Sequence, residues 1–359
     1  MKINVKVIGD IHLGKKDDKA LWKELQEIFI PTITEDLDLL VIPGDLFDRV
    51  IKLNEITSQY AFRFMDQLTT LSKAYDFKIR ILKGTRSHDY NQLDNFKNYE
   101  TDESFGIANE ACVEEIFPGI IALYIPEEYV EDADIYYEEF FKNKYDLVFF
   151  HGTMDFAGFA GHLASNKTTK QAPTFSSKQI AALAYGPIVG AHIHIRDNYK
   201  MKIYYTGSFT RFNFGEPEEK GFIDYSYDSE THAYDVKYTD NTLAPDYMTV
   251  KLADLTGSLE EKLQKIELLK EEYTNLRIDV KEEDKKGNES MIEALKDLTD
   301  DNVKLKVANS FEEKYDAKFE FVLKKTLPLD KTIQKFIKLT KNKDITVDEI
   351  NNILKPDQQ

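Results

Sequence analysis

Through residue 228 the chain alternates short β-rich apolar runs with longer segments whose apolar residues recur at helical spacing, which restricts it to a layered α/β architecture. Residues 2–8, 39–43, 77–82, 120–125, 146–150, 188–191, 202–206 and 221–227 read as strands, most of them bounded by Gly, Asp or Pro. Between them, Leu21, Trp22, Leu25, Ile28 and Phe29 keep helical spacing up to a stop at Pro31, and Ile56, Tyr60, Phe64, Leu68 and Leu71 do the same. From about Tyr247 the rhythm changes. Residues 248–252 read as a strand, and Ser258 with Glu261 forms a capping box opening a helix with Leu259, Leu263 and Ile266 on one face. Strand 276–280, a helix near 291–298 and strand 303–307 complete a β-α-β-α-β order suited to a small α+β domain, with the charged run 281–290 as a surface loop. The tail reads as two short amphipathic helices, one face formed by Ile333, Phe336, Ile337 and Thr340, the other by Val347, Ile350, Ile353 and Leu354.

Composition narrows the class. A length of 359 residues suits about two domains, and 42% hydrophobic with 31% charged residues excludes collagen-like and mainly disordered chains. The single cysteine, Cys112, provides neither an intrachain disulfide nor a thiolate metal cluster, so a reducing, cytoplasmic setting is expected. The start MKINVKVIGD lacks the organisation of a signal peptide, and no apolar run reaches about 18 residues, so neither secretion nor membrane spanning is expected. The formal charge of −17 repels polyanions overall, although bound divalent cations or a locally basic groove reverse that sign close to a site.

The placement of histidines and aspartates carries the chemistry. Asp10 and His12 follow the first strand, Asp45 and Asp48 the second, His88 and Asp89 the third, His151 the strand DLVFF, and His192 and His194 the strand GPIVGA. In an α/β sheet the carboxyl ends of the strands share one edge, where ligand sites form. One histidine beside a strand is usually a hydrogen-bonded structural residue; His12, His88, His151, His192 and His194, out of 7 in the chain, make a shared site the better reading. Imidazole and carboxylate donors without thiolate suit manganese, iron or zinc. In Asp10-x-His12 and His192-x-His194, period-two spacing on extended backbone points both side chains to one side, so each pair either serves one centre or divides between two. A carboxylate such as Asp45 can bridge two cations about 3.5–4 Å apart, the arrangement that clamps the oxygens of a phosphoryl transfer. His162 and His232 match no pattern and read as structural or solvated; Arg211 and Lys220 are candidates either for phosphate contact or for pairing with Glu216, Glu218 or Glu219. The 158–174 loop, between His151 and His192, is long enough to be functional or mobile.

The motifs GDIH at 9–12, GDLFDR at 44–49, SHD at 87–89, HG at 151–152 and GAHIH at 190–194 resemble, in order, those of the calcineurin-like metallophosphoesterases. The continuation YYTGSFTRFNFGEPEEKGF at 204–222 resembles one branch of them, the SbcD-type DNA double-strand-break repair nucleases and their phage recombination-nuclease relatives. The resemblance implies a two-sheet αββα sandwich over residues 1–245, a small α+β capping or DNA-binding domain over 246–328 and a helical partner-docking tail over 329–359. It further implies two divalent cations, Mn²⁺ first among them, one held by Asp10, His12, Asp45 and His194, the other by Asp45, His151 and His192. The family completes its second site with Asn from Gly-Asn-His-Asp; in Gly84-Thr85-Arg86-Ser87-His88-Asp89, Ser87 is expected at that place. The resemblance makes His88 the general acid, and Asp48 is expected to orient an imidazole; for Asp48 and Asp89 simple loop capping is the alternative. The implied activity is exo- or endonucleolytic hydrolysis of DNA phosphodiesters, by a homodimer working beside an SMC-like ATPase of the SbcC type docked on the C-terminal helices. The alternatives are a phosphoesterase acting on small nucleotides or phosphoproteins, which the acidic balance favours, and a non-catalytic interaction module.

Overall fold

The computed structural model describes residues 1–100, 103–156, 172–216, 218–300 and 302–307. The strands are β1 (Lys2–Val7), β2 (Leu39–Ile42), β3 (Lys78–Leu82), β4 (Phe105–Ala108), β5 (Cys112–Phe117), β6 (Ile120–Ile125), β7 (Leu147–His151), β8 (Thr153–Met154), β9 (Thr174–Phe175), β10 (Ile188–Ala191), β11 (Asp197–Tyr199), β12 (Ile203–Tyr205), β13 (Gly221–Asp228), β14 (Tyr234–Asp240), β15 (Tyr247–Lys251), β16 (Asn275–Val280) and β17 (Val303–Val307). The principal helices are α1 (Asp18–Glu24), α2 (Ile56–Tyr75), α3 (Ser177–Ala181), α4 (Leu259–Glu272) and α5 (Glu289–Asp297). The chain divides into two compact units, Met1–Tyr247 and Met248–Gln359.

The first unit holds two six-stranded sheets, ordered β14-β13-β1-β2-β3-β4 and β11-β12-β10-β7-β6-β5. β1 to β4 run parallel in one sheet and β6, β7, β10 and β12 in the other, with β13, β14, β5 and β11 joining antiparallel. Central parallel strands are buried on both faces, which is why 39–42 and 188–191 are apolar throughout. Val5, Val7, Leu39 and Val41 of one sheet pack against Ala122, Tyr124, Leu147 and Phe149 of the other. The opposite face of the first sheet meets Leu21 and Leu25 with Phe64 and Leu68; that of the second meets Ile180, Leu183 and Tyr137. Helices therefore cover both outer faces, giving the expected αββα sandwich. Strands β4, β5, β11 and β14 escape the apolar-run pattern because each lies at a sheet edge, with half of β5's residues exposed and β14 alternating exposed and half-buried residues. The helix expected up to Pro31 is regular only through Glu24, then passes through a π-helical turn (Leu25–Phe29) and a 3-10 turn (Ile30–Thr32).

In the second unit the sheet order is β15-β16-β17, with β16 and β17 parallel in the register Leu276↔Val303. Ser258 Oγ accepts from the Glu261 N–H at 3.3 Å and Glu261 Oε2 accepts from the Ser258 N–H at 2.7 Å, so the capping box that opens α4 is complete. Leu276, Ile278 and Val280 alternate inward against Ile266, Met291 and Leu295. The charged run after β16 forms a short helical turn, Glu282–Lys285, and a loop. The helical tail expected at 329–359, most of the 158–174 loop and His162 lie outside the described residues. Among the described residues no helix is long and apolar enough to cross a membrane.

Candidate metal centre

The loops leaving the carboxyl ends of β1, β2 and β3 in one sheet and of β6, β7 and β10 in the other converge on one cluster of side chains. Asp10, His12 and His194 bring ligand atoms within 4.8 Å of one another; so do His12, Asp45 and His88, and so do Asp45, His151 and His192. Asp10, His12 and His151 are 0% exposed.

The turns that deliver these groups depart from extended backbone. Asp10 (φ 49), His12 (φ 51), Asp45 (φ 51) and His192 (φ 101) take positive φ, a region that non-glycine residues enter at a cost and that concentrates at functional sites. Period-two logic consequently does not apply, and the two D/H-x-H pairs behave differently. Asp10 and His12 serve one cluster, whereas His194 joins them and His192 joins Asp45 and His151. The motif glycines permit close approach. A Cβ on Gly44 would lie 2.4 Å from His151 Nδ1, and one on Gly84 would lie 2.2 Å from the Asp45 backbone nitrogen.

Each donor is aimed by a partner behind it. His151 Nδ1 lies 2.7 Å from the Pro43 carbonyl, which accepts its proton and turns Nε2 inward. Asp48 Oδ1 lies 3.3 Å from His12 Nδ1 and 3.0 Å from Lys15 Nζ, the orienting place expected for it, with its carboxyl held well below the usual range by His12 first and Lys15 next. Both Asp10 oxygens accept from the His192 N–H, at 3.1 and 3.0 Å. Asp89, 0% exposed, accepts from the backbone N–H groups of Asp45, Phe47 and Gly84 at 2.9, 3.1 and 2.7 Å and so ties the β2 and β3 loops together. Burial and then Asp45 beside it push its carboxyl up to about 7.

Asp45 occupies the middle. Its Oδ1 is 3.4 Å from His151 Nε2, while its Oδ2 is 2.9 Å from His88 Nδ1 and 3.8 Å from His12 Nε2. Burial opposes its ionisation, and His151, His88 and His12 overcome it. His88 is partly open to solvent at 26%, as are His192 and His194 at 24% each.

Sequence patterns missed Thr85 and Glu127 and left the Glu216–Lys220 pairing as one of two alternatives. Thr85 donates its N–H to Asp45 Oδ1 at 2.6 Å and sets Oγ1 3.3 Å from His151 Nε2 and 3.4 Å from His192 Nδ1. Ser87, expected at this place, is exposed instead. The extra residues between Gly84 and His88 bulge outward, so the residue directly after the glycine faces the centre. Glu127 places Oε2 3.1 Å from His192 Nδ1. Its position just past a strand end is the same signal the other groups gave. Glu216 and Lys220 brace His194: Glu216 Oε1 is 3.7 Å from Nδ1, and Lys220 Nζ donates to the His194 carbonyl at 2.8 Å and pairs with Glu216 at 3.1 Å. Arg211 pairs with Asp246 at 3.0 Å and Glu219 at 3.5 Å, so pairing rather than phosphate contact describes both basic residues. His232 stacks on Tyr185 and lies 2.8 Å from the Tyr227 hydroxyl, a structural setting.

The donor set fits divalent cations. His12 Nε2 and His194 Nε2 face each other at 2.9 Å and His151 Nε2 and His192 Nδ1 at 3.3 Å, pairs of ring nitrogens that need a proton or a cation between them. Burial works against an imidazolium at His151, yet Asp45, Asp10 and Glu127 push it up to about 10, so the cluster attracts positive charge. Nitrogen and oxygen donors without sulfur match borderline and hard divalent ions.

The family model of the calcineurin-like phosphoesterases matches residues 3–196. A protein of Invertebrate iridescent virus 6 that is named as a phosphoesterase is 24% identical over 225 residues, covering 60% of this chain and 73% of that protein. Among solved structures, the glutamine-dependent NAD+ synthetase of Acinetobacter baumannii in complex with ADP aligns over 95% of this chain and 72% of its own, at 9% identity and a TM-score of 0.33, a likeness too slight to bear on fold or function.

Proposed function

This chain belongs to the calcineurin-like phosphoesterase family, and on that premise we propose that it is a metal-dependent nuclease hydrolysing DNA phosphodiesters with two cations, Mn²⁺ first among them. The observation that carries the two-cation reading is Asp45, whose separate oxygens face His12 on one side and His151 on the other. In this reading Asp10, His12, Asp45 and His194 hold one cation, and Asp45, His151 and His192 contribute to the other. When bound, such a pair supplies Lewis-acid stabilisation of the phosphoryl oxygens and a water of lowered pKa.

The chain's own residues do the rest. His88 presents Nδ1 to Asp45 Oδ2 at 2.9 Å, which leaves Nε2 to hand a proton to the departing sugar oxygen as the P–O bond breaks. Burial disfavours the imidazolium, but Asp45, Asp48 and Asp89 outweigh it and raise the His88 pKa. Asp48 fixes the His12 ring, and the Pro43 carbonyl fixes that of His151.

DNA as the substrate is supported by the resemblance of residues 204–222 to the SbcD-type branch and by the α+β unit beginning at Met248, which a small ester would not require. The charge of −17 favours the second reading, a small nucleotide or a phosphoprotein. An assay with Mn²⁺, Mg²⁺ and EDTA on end-labelled duplex and hairpin DNA, beside bis-p-nitrophenyl phosphate, separates them. Metal-dependent DNA cleavage is the expected result. Hydrolysis of the small ester alone selects the second reading, and no hydrolysis in any metal overturns both.

The same resemblance leads us to assign residues 329–359 to docking of an SMC-like ATPase and the protein to a homodimer. A variant ending at Pro328 should lose co-elution with such an ATPase on size exclusion; equal co-elution overturns the assignment.

A further inference from the structure

The second half of the centre lacks the amide that the family pattern supplies, and a buried carboxylate stands beside the gap. Thr85, directly after Gly84, offers only a short hydroxyl. Glu127 comes from the other sheet, just past β6, and is 4% exposed. Its backbone N–H donates to the Lys83 carbonyl at 3.1 Å, and the Tyr129 hydroxyl donates to Oε1 at 2.8 Å. That bond turns the remaining oxygen inward. Oε2 lies 3.1 Å from His192 Nδ1, 3.8 Å from His151 Nε2 and 3.3 Å from Thr85 Oγ1.

Two explanations compete for this carboxylate. As a brace it would hold the ring nitrogen of a histidine that points away from the centre. The ring nitrogens it approaches are instead the inward ones: His151 Nε2 is turned inward because Nδ1 is bonded to Pro43, and His192 Nδ1 faces it at 3.3 Å. Among the described residues, the ion pairs of Glu127 are with these two imidazoles. A buried carboxylate so placed carries a desolvation cost that a cation among the three groups would offset.

Resting on the reading of a two-cation centre, we propose that Glu127 is a ligand of the second cation, taking the place of the family's amide. Its donors then become Asp45, Glu127, His151 and His192. This matches the two-carboxylate, two-imidazole set of Asp10, Asp45, His12 and His194 in the first half. The second half thereby gains a negative charge that an amide would not give, which strengthens its hold on a hard divalent ion.

Calorimetric titration of the full chain with Mn²⁺, together with the electron paramagnetic resonance signal of a coupled manganese pair, tests this without reference to catalysis. Glu127→Gln keeps the shape and an acceptor for Tyr129. It should weaken one of two Mn²⁺ sites by more than about tenfold, leave the other unchanged and abolish the coupled signal at concentrations that fill both sites in the parent. Glu127→Asp keeps the charge but withdraws it, and should weaken the same site. Adding Thr85→Asn to Glu127→Gln should recover affinity at that site by placing an amide directly after Gly84, where the family pattern carries its own. Two sites of parental affinity in Glu127→Gln, or in Glu127→Asp, overturn the ligand role while leaving the two-cation reading intact. A parent that takes up no Mn²⁺ overturns both.

Discussion

The two halves of the centre are built differently. In the first, the imidazoles are braced by ion-paired side chains: His12 by Asp48 with Lys15 behind it, and His194 by Glu216 with Lys220 behind it. In the second, the brace on the imidazole is backbone: His151 is held by the Pro43 carbonyl, while the buried Asp89 carboxylate ties the Asp45 and Gly84 turns together through their N–H groups. A side-chain brace can be removed by one substitution without disturbing the turn. A backbone brace cannot, so the first half should be tunable and the second should respond mainly to its ligands.

The comparison breaks most completely at the residue the halves share. Asp45→Ala should remove both cations and abolish hydrolysis, and titration showing two intact Mn²⁺ sites would end the bridging assignment. His88→Ala belongs to neither half as a ligand. It should keep both cations and lose about 10²–10⁴-fold in hydrolysis rate, and loss of bound metal would place His88 among the ligands instead. Asp48→Ala sharpens the contrast by withdrawing only the His12 brace. Mn²⁺ affinity should fall by about 10–100-fold at one site while the other holds, and a uniform loss at both would show that the halves are not separately braced. The smallest effect belongs to Ser87→Ala, exposed on the β3 loop, which should change Mn²⁺ affinity and activity by less than about twofold. A larger loss would return Ser87 to the centre in place of Thr85.

The first half was largely legible because Asp10, His12 and His194 occupy motifs whose spacing is local. What the spacing could not decide was the division of the His192-x-His194 pair. That depends on the left-handed turn at His192 (φ 101), which tertiary contacts with Asp10 hold in place. The β3 loop misled for a related reason. Counting back from His88 selects Ser87, whereas the chain's path out of Gly84 selects Thr85, and the path is fixed by the N–H bond of Thr85 to Asp45 across the loops.

By itself the sequence determined the strands at the sheet centres, since runs buried on both faces are apolar without interruption, and it determined the class of chemistry, since imidazoles and carboxylates recur just past those strands. Only the tertiary structure decided which donors meet. Glu127 and His192 are far apart in the chain and lie on loops after different strands of one sheet, while Asp45 and Thr85 come from the other sheet. Their convergence depends on how two twisted sheets pack face to face, a relation between distant surfaces that no local spacing records.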